Sequence, residues 1–368
     1  MKTWRARLPL AAIAGLCACA AHAEAGRFYG MLRERDLTPF GFLRLDMRPA
    51  HAASVEPHTF AIEAELGYQN TWALSPEVER YLTTLEKTGR RELGPAEVQA
   101  IRDLPGENYL VDVESATLDL AVHYRISGEW SAYAIATAVS YHGGFMDDGI
   151  EKFHDTFGFS TFGRPALARN RTNVLLDLKR GQVTLLDEPT TSGFMDPVFG
   201  LRYSDIHLLH HWQMSLETAV KVPLQGERML LSTGRTDYGV QASLRHFGRS
   251  NAVHVDFSAV YYAGQRIPAP QESQVVPTVV LGWEHILTDR TNVNLQAYAS
   301  RSVYSRADTE LAELLRDKYQ LSLGMRHRFE CCVVSFAVTE NLQNLNNTPD
   351  IGFQLGFAWL PNLKPQQR

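Results

Sequence analysis

From about residue 57 onward the chain repeats one theme, a run alternating apolar and polar residues followed by a turn. In "TFAIEAELGY", Phe60, Ile62, Ala64, Leu66 and Tyr68 fall on one face, and Glu63 and Glu65 on the other. "ATLDLAVHY" sets Leu118, Leu120, Val122 and Tyr124 against Asp119, Ala121 and His123. "WQMSLETAVKV" sets Trp212, Met214, Leu216, Val220 and Val222 against Gln213, Glu217 and Lys221. Period two over this length marks half-buried strands.

Two all-β architectures use such strands. A soluble sandwich needs strands of about five or six residues. These run longer, near the nine to eleven or so that cross a bilayer at a slant. Aromatics gather near their ends (Trp130, Tyr141, Trp212, Tyr261, Trp283, Tyr298 and Trp359 among them), as in an interfacial girdle. Strands in hydrocarbon must close on themselves, because an open edge leaves backbone groups unpaired. The pattern therefore predicts a transmembrane antiparallel up-and-down β-barrel.

Turn lengths set the count. Tight connections at 127–128, 248–250, 288–289 and near Glu330 alternate with longer ones at about 74–108, 143–196, 223–234, 264–276, 303–316 and 342–348. Short inner turns and long outer loops are the habit of such barrels. Twelve strands result, at about 58–70, 113–126, 129–142, 197–204, 212–222, 235–247, 251–263, 277–287, 290–302, 317–329, 331–341 and 350–359. A hairpin around Arg180-Gly181 raises the count to fourteen, but "QVTLL" is short for a crossing strand. Short helices are expected in the outer loops. One follows Ser75-Pro76 as cap and first-turn proline, a second starts at Pro95, and a third covers "GGFMDDGIEKFHDTFGF".

The ends read differently. Lys2, Arg5 and Arg7, an apolar run and Ala21-His22-Ala23 have the order of a secretory signal over 1–23. Residues 24–56 form an N-terminal periplasmic or plug segment, 57–360 the barrel, and 361–368 a tail. Without the three signal cations, the 36 Lys and Arg become 33 against 41 Asp and Glu. That acidic balance gives no support to a nucleic-acid partner. Cys331 and Cys332 are neighbours on a strand and point to opposite faces, so no disulfide framework is implied.

Three stretches carry a family resemblance: "RERDLTPFGFLRL", "GGFMDDGIEKFHDTFG" and "GFMDPVFGLRY". Together they resemble a proteobacterial family of outer-membrane barrels known only as a domain of unknown function. Arg35, Asp36 and Pro39 fit its opening Arg-Asn/Asp-x-x-Pro element, and Asp112 and Glu114 fit an acidic pair before the second strand. The resemblance implies an outer-membrane location and no particular activity.

Candidate chemistry centres on residues 146–157. At about 100° per residue, Asp147, Glu151 and His154 share one wedge of the helix, while Met146, Ile150, Phe153 and Phe157 share another. The expected arrangement has the apolar side docked on the barrel mouth and the polar side in water. Glu151-x-x-His154 is a spacing that offers a carboxylate and an imidazole to a metal, but one helix supplies too few ligands, and no metal or cofactor is expected. His154 beside Glu151 and Asp147 is also a candidate general base. No Gly-x-Ser-x-Gly elbow accompanies it. Arg35, Asp36, Asp112, Glu114, Asp147, Glu151 and His154 are the candidate solute-binding set. Arg164, Arg169 and Arg171 are candidates to meet anionic lipopolysaccharide, and His207, His210 and His211 form a polar turn. Inward-facing Glu63, Glu65, Asp119, His123, Arg125, Glu217 and Lys221 would line a lumen of mixed sign.

The leading expectation is an outer-membrane barrel that passes or binds a small solute, with the 145–157 helix at its mouth. The alternatives are a lipid- or lipopolysaccharide-modifying enzyme using His154, and a closed structural barrel. Expected partners are outer-membrane lipids, lipopolysaccharide, the barrel-assembly machinery and a small solute.

Overall fold

The computed structural model describes residues 27–35, 41–48, 56–186, 192–209, 212–224, 226–266, 269–343, 348 and 350–360. The expected signal at 1–23, the tail at 361–368, Asp36, Pro39, His210 and His211 lie outside the described residues.

In chain order the first strands are β1 (Phe60–Leu74), β2 (Asn108–Arg125), β3 (Trp130–His142), β4 (Asn173–Leu178), β5 (Gly181–Leu186), β6 (Ser192–Phe194) and β7 (Val198–Leu209). Then come β8 (Trp212–Lys221), β9 (Asp237–Phe247), β10 (Asn251–Tyr262) and β11 (Gln274–Ile286). The chain ends with β12 (Thr291–Ser300), β13 (Lys318–Arg328), β14 (Cys332–Gln343) and β15 (Ile351–Trp359). Twelve of these, β1 to β3 and β7 to β15, pair antiparallel in sequence order. β15 returns to β1 with Leu355 opposite Leu66, and so closes the wall.

Alternation decides which way each side chain points. Phe60, Leu66, Leu118, Leu120, Phe336 and Leu355 are exposed on the outside, where a bilayer covers them. Glu63, Asp119, His123, Arg125, Glu217 and Lys221 are buried on the inside.

The Arg180-Gly181 hairpin does not cross the membrane. β2 extends past the end of β3, and its residues 108–112 pair with β4, which pairs with β5. With six residues each, β4 and β5 are too short to span and instead prolong the wall above the barrel. Helices α1 (Pro76–Leu85) and α2 (Pro95–Arg102) cover the outer face of this extension. Trp72, Leu74, Val78, Leu82, Ile101, Leu110 and Leu175 pack between them. Ser75 makes no side-chain cap on α1; its hydroxyl donates to Asn108, and Pro76 starts the helix alone. The inner face of the extension joins the other long loops in a second apolar cluster, with Tyr109, Tyr141, Leu231, Tyr262, Tyr304 and Leu314 at its centre. This cluster roofs the long-loop end. A single turn, α4 (Ala312–Leu315, after α3 at Asp147–Phe157), supplies Leu314.

Candidate functional site

The lumen is occupied by the chain's own N-terminal segment. A twelve-stranded wall encloses more space than its inward side chains fill, since about eight strands already suffice for a side-chain-filled interior. Residues 27–35 climb the inside of β11, β12 and β13. On β12, Asn292 and Asn294 donate to the carbonyls of Arg27 and Gly30, both at 2.9 Å, and Gln296 donates to Leu32 O at 3.1 Å. Period two thus places three amides on one inward row, and each accompanies the strap for one further step. Glu284 of β11 accepts from the backbone N–H groups of Tyr29 (2.7 Å) and Gly30 (3.0 Å). Inward glycines give the strap room. A Cβ on Gly282 would lie 2.5 Å from Met31 Sδ, and one on Gly324 2.8 Å from a Leu32 methyl.

Phe42 meets the Tyr141 ring under the roof, and residues 43–48 descend on the opposite side. Lys221 Nζ donates to Leu43 O, Leu45 N–H to Asp237, and Gln241 to Arg48 O, at 2.7, 2.9 and 3.2 Å. Ion pairs fix both limbs. Arg33 meets Glu63 at 3.2 Å, while Arg35 (3.2 Å) and Arg48 (2.7 Å) converge on Asp119. A void of about 30 Å³ remains among Arg33, Arg48, Glu63, Glu65, Asp119 and Arg326, room for one or two waters.

The second constellation lies on the outside of the wall. Even-numbered residues of β1 and their partners on β2 face lipid lower down, and at the long-loop end this face carries Tyr68, Asn70, Glu114 and Asp112. The chain leaves β3 through Gly143-Gly144 and folds outward over them. Gly144 has φ +73°, and a Cβ there would strike the Glu114 carboxylate; one on Gly143 would meet Asn170 O. Glu114 accepts from Tyr68 Oη and from the N–H groups of Phe145 (3.0 Å) and Met146 (2.7 Å). This places an anion at the N-terminus of α3, where the helix dipole favours it.

α3 docks by its charged face. Asp147 and Glu151 are buried, while Phe153 and Phe157 are exposed, the reverse of the expected docking. Arg164, itself buried, bonds Asp147 at 2.5 Å, Asp350 at 2.6 Å and Asn70 at 3.0 Å, and its guanidinium lies 4.8 Å from the Trp72 ring centre. Asn170 N–H also donates to Asp147. Glu151 receives Arg90 and Arg169, and Arg169 holds Asp148 as well. Burial pushes the Glu151 carboxyl up, but the two guanidiniums outweigh it and hold the group below its ordinary range. Arg171 pairs with Glu92. The arginines proposed for lipopolysaccharide are therefore engaged within the chain.

The candidate residues divide among three places. Arg35 is in the lumen. Asp112, Glu114, Asp147 and Glu151 are in the outer-wall lock, where Asn173 donates to Asp112. His154 lines a surface cleft of about 350 Å³ with Trp72, Phe159, Ser160, Glu340 and Asp350, and its Nδ1 lies 2.7 Å from Ser160 O. They do not line one shared cavity. Among the described residues no group of three or more His, Cys, Asp or Glu side chains is placed to hold a metal. The strap's holders, Glu284, Asn292, Asn294, Gln296 and Arg326, escaped sequence reasoning. Their one signal was a run of inward amides, which an aqueous lumen explains equally well.

A family model described as a protein of unknown function (DUF3187) matches residues 104–359, more than half of the chain. No curated protein matches it. Among solved structures, an outer-membrane channel from Pseudomonas putida F1 is similar at 10% identity and a TM-score of 0.50, covering 83% of this chain and 96% of that one. The NanC porin matches at 9% identity and 0.41, covering 67% and 93%. The CymD monoaromatic hydrocarbon channel matches at 11% and 0.37, covering 92% and 96%. The first likeness shows the outer-membrane barrel fold.

Proposed function

The chain belongs to the DUF3187 family, and we propose that it is a barrel for passage of a small solute, closed at rest by its own N-terminal strap. The observation that carries this reading is how the strap is held. While Phe28, Tyr29, Met31, Leu45 and Met47 pack in small apolar clusters against the wall, its backbone and charges are held by polar contacts from lumen amides, carboxylates and guanidiniums. Such contacts exchange for water at a net cost of only about 0.5–1.5 kcal/mol each when neutral. A strap of this kind is displaceable, and the mixed-charge wall behind it is suited to a wet path. The 145–157 helix, expected at the mouth, is not the gate in this proposal, because the acids of α3 turn to the outer wall; residues 27–35 and 41–48 take that part.

Single-channel recording in planar bilayers tests the reading. The full chain is expected to be mostly silent, and a chain lacking residues 27–48 to conduct. A strap-less barrel that refolds, as read by its heat-modifiable gel mobility, and stays silent would overturn it. The rival reading, a closed structural barrel, is favoured by the apolar roof that Phe42 and Leu43 join. It predicts silence from both chains.

A further inference from the structure

We propose that α3 is an in-plane membrane helix whose phenylalanines lie among the acyl chains of the outer leaflet. Phe145, Phe153, Phe157 and Phe159 are 72%, 52%, 63% and 57% exposed, although a helix with this much apolar surface normally buries it. Phe153, Phe157 and Phe159 form one patch, with ring centres of Phe153 and Phe157 4.7 Å apart and of Phe153 and Phe159 5.9 Å apart, and Phe145 stands just before the helix.

The occupant follows from where the helix begins. The Phe145 ring lies 5.2 Å from that of Tyr68, and Tyr68 ends the lipid-facing row Phe60, Ile62, Ala64, Leu66 on β1. Those eight residue steps, at about 3.3 Å each and roughly 40° of tilt, rise about 20 Å, within an apolar band about 25 Å tall. Phe145 therefore stands at the upper rim of the band, and the helix that carries the patch starts there.

The helix wheel gives the same orientation. At 100° per residue, Asp147 and Glu151 mark the docked side. Phe153 and Phe157 fall about 120° to one side of it, and Asp148, Lys152 and Asp155 about 90° to the other. Asp148 pairs there with Lys152 and Arg169. One side meets the wall, one the acyl chains and one water. Because Arg90, Arg164 and Arg169 neutralise the buried acids, the helix can lie at the rim without presenting bare charge to hydrocarbon.

The test places nitroxide labels on the full chain after Cys17, Cys19, Cys331 and Cys332 are replaced by alanine. Phe153→Cys and Phe157→Cys report the patch, Lys152→Cys and Asp155→Cys the opposite side, and Leu66→Cys the bilayer itself. In dioleoylphosphatidylcholine vesicles, the ratio of collision with oxygen to collision with a water-soluble nickel complex measures depth. Labels at 153 and 157 are expected to shift toward the Leu66 value, with 152 and 155 at the aqueous value. Equal aqueous ratios at all four helix sites would overturn the proposal. So would labels at 153 and 157 shielded from both reagents, the sign of a protein partner or a second copy. All four helix sites are exposed, so the labels leave the packed contacts of α3 intact.

Discussion

Asp119→Asn separates a displaceable strap from a permanent filling. Asp119 sits on the inward face of β2 and is the common partner of Arg35 from the rising limb and Arg48 from the descending one. Thr137 also donates to it. The amide keeps the shape and one acceptor but removes the charge, leaving two buried guanidiniums facing a neutral group. Breaking a buried pair in this way costs about 3–5 kcal/mol. Glu63 and Glu65 border the same void, so the lower end applies. At about 1.4 kcal/mol per decade, ~3 kcal/mol is roughly a hundredfold change in the equilibrium between seated and released strap.

The assay is the frequency of open events in planar bilayers, compared between variant and parent at equal numbers of inserted barrels. The variant is expected to open about a hundred times more often. Arg48→Met is expected to act in the same direction, and the double variant to fall short of additivity, because both changes break one shared contact. A D119N barrel that folds and stays as quiet as its parent refutes the gating role. Full additivity would instead point to general loosening of the wall.

Two further outcomes concern the outer-wall lock. Arg164→Met strands the buried Asp147 and the partly buried Asp350, at a cost of about 3–5 kcal/mol confined to the loop; limited proteolysis should then cut within 143–172 while the barrel keeps its heat-modifiable mobility, and unchanged protease resistance would count against the lock. Glu151 has its folded-state pKa depressed, so its share of α3 docking is complete above the ordinary carboxylate value of about 4.3 and is lost as pH falls through the folded one. Mobility of a nitroxide at Phe157→Cys should therefore rise on acidification below about pH 4 and not between pH 5 and 8; a transition near neutrality would contradict the assignment.

The barrel was legible because its two solvents differ. A strand between bilayer and lumen must alternate, and all twelve spanning strands carry that imprint; the expected ends fall close to the observed ones except where β2 starts at Asn108 rather than 113 and β7 runs on to Leu209 rather than 204. The inward placement of Asp119, Glu217 and Lys221 followed from the same period. The path of the strap left no imprint. Residues 27–35 and 41–48 make neither helix nor strand of their own, and their course is set in part by side chains about 200 to 300 positions away, such as Asn294 and Arg326. No local pattern encodes a contact of that separation. The β4–β5 hairpin fitted a spanning pair by parity alone, and the shortness of "QVTLL", which favoured twelve strands, agrees with its six-residue strands.

α3 shows the limit from another direction. Its two faces were plain in the sequence, and their assignment to wall and solvent was inverted. Periodicity defines faces but not the medium that each one meets. The acids became the docking face because Arg90, Arg164 and Arg169 arrive from other parts of the loops to neutralise them. The phenylalanines became the free face because the neighbouring medium is hydrocarbon, which removes the usual penalty for exposing them. On a soluble protein the same helix would be expected to turn over. Its orientation therefore carries information about the surroundings that neither the wheel nor the composition holds. A wall-facing charge cluster beside a bare aromatic patch, at the rim of a lipid-facing strand, locates the outer edge of the bilayer more sharply than the scattered girdle does.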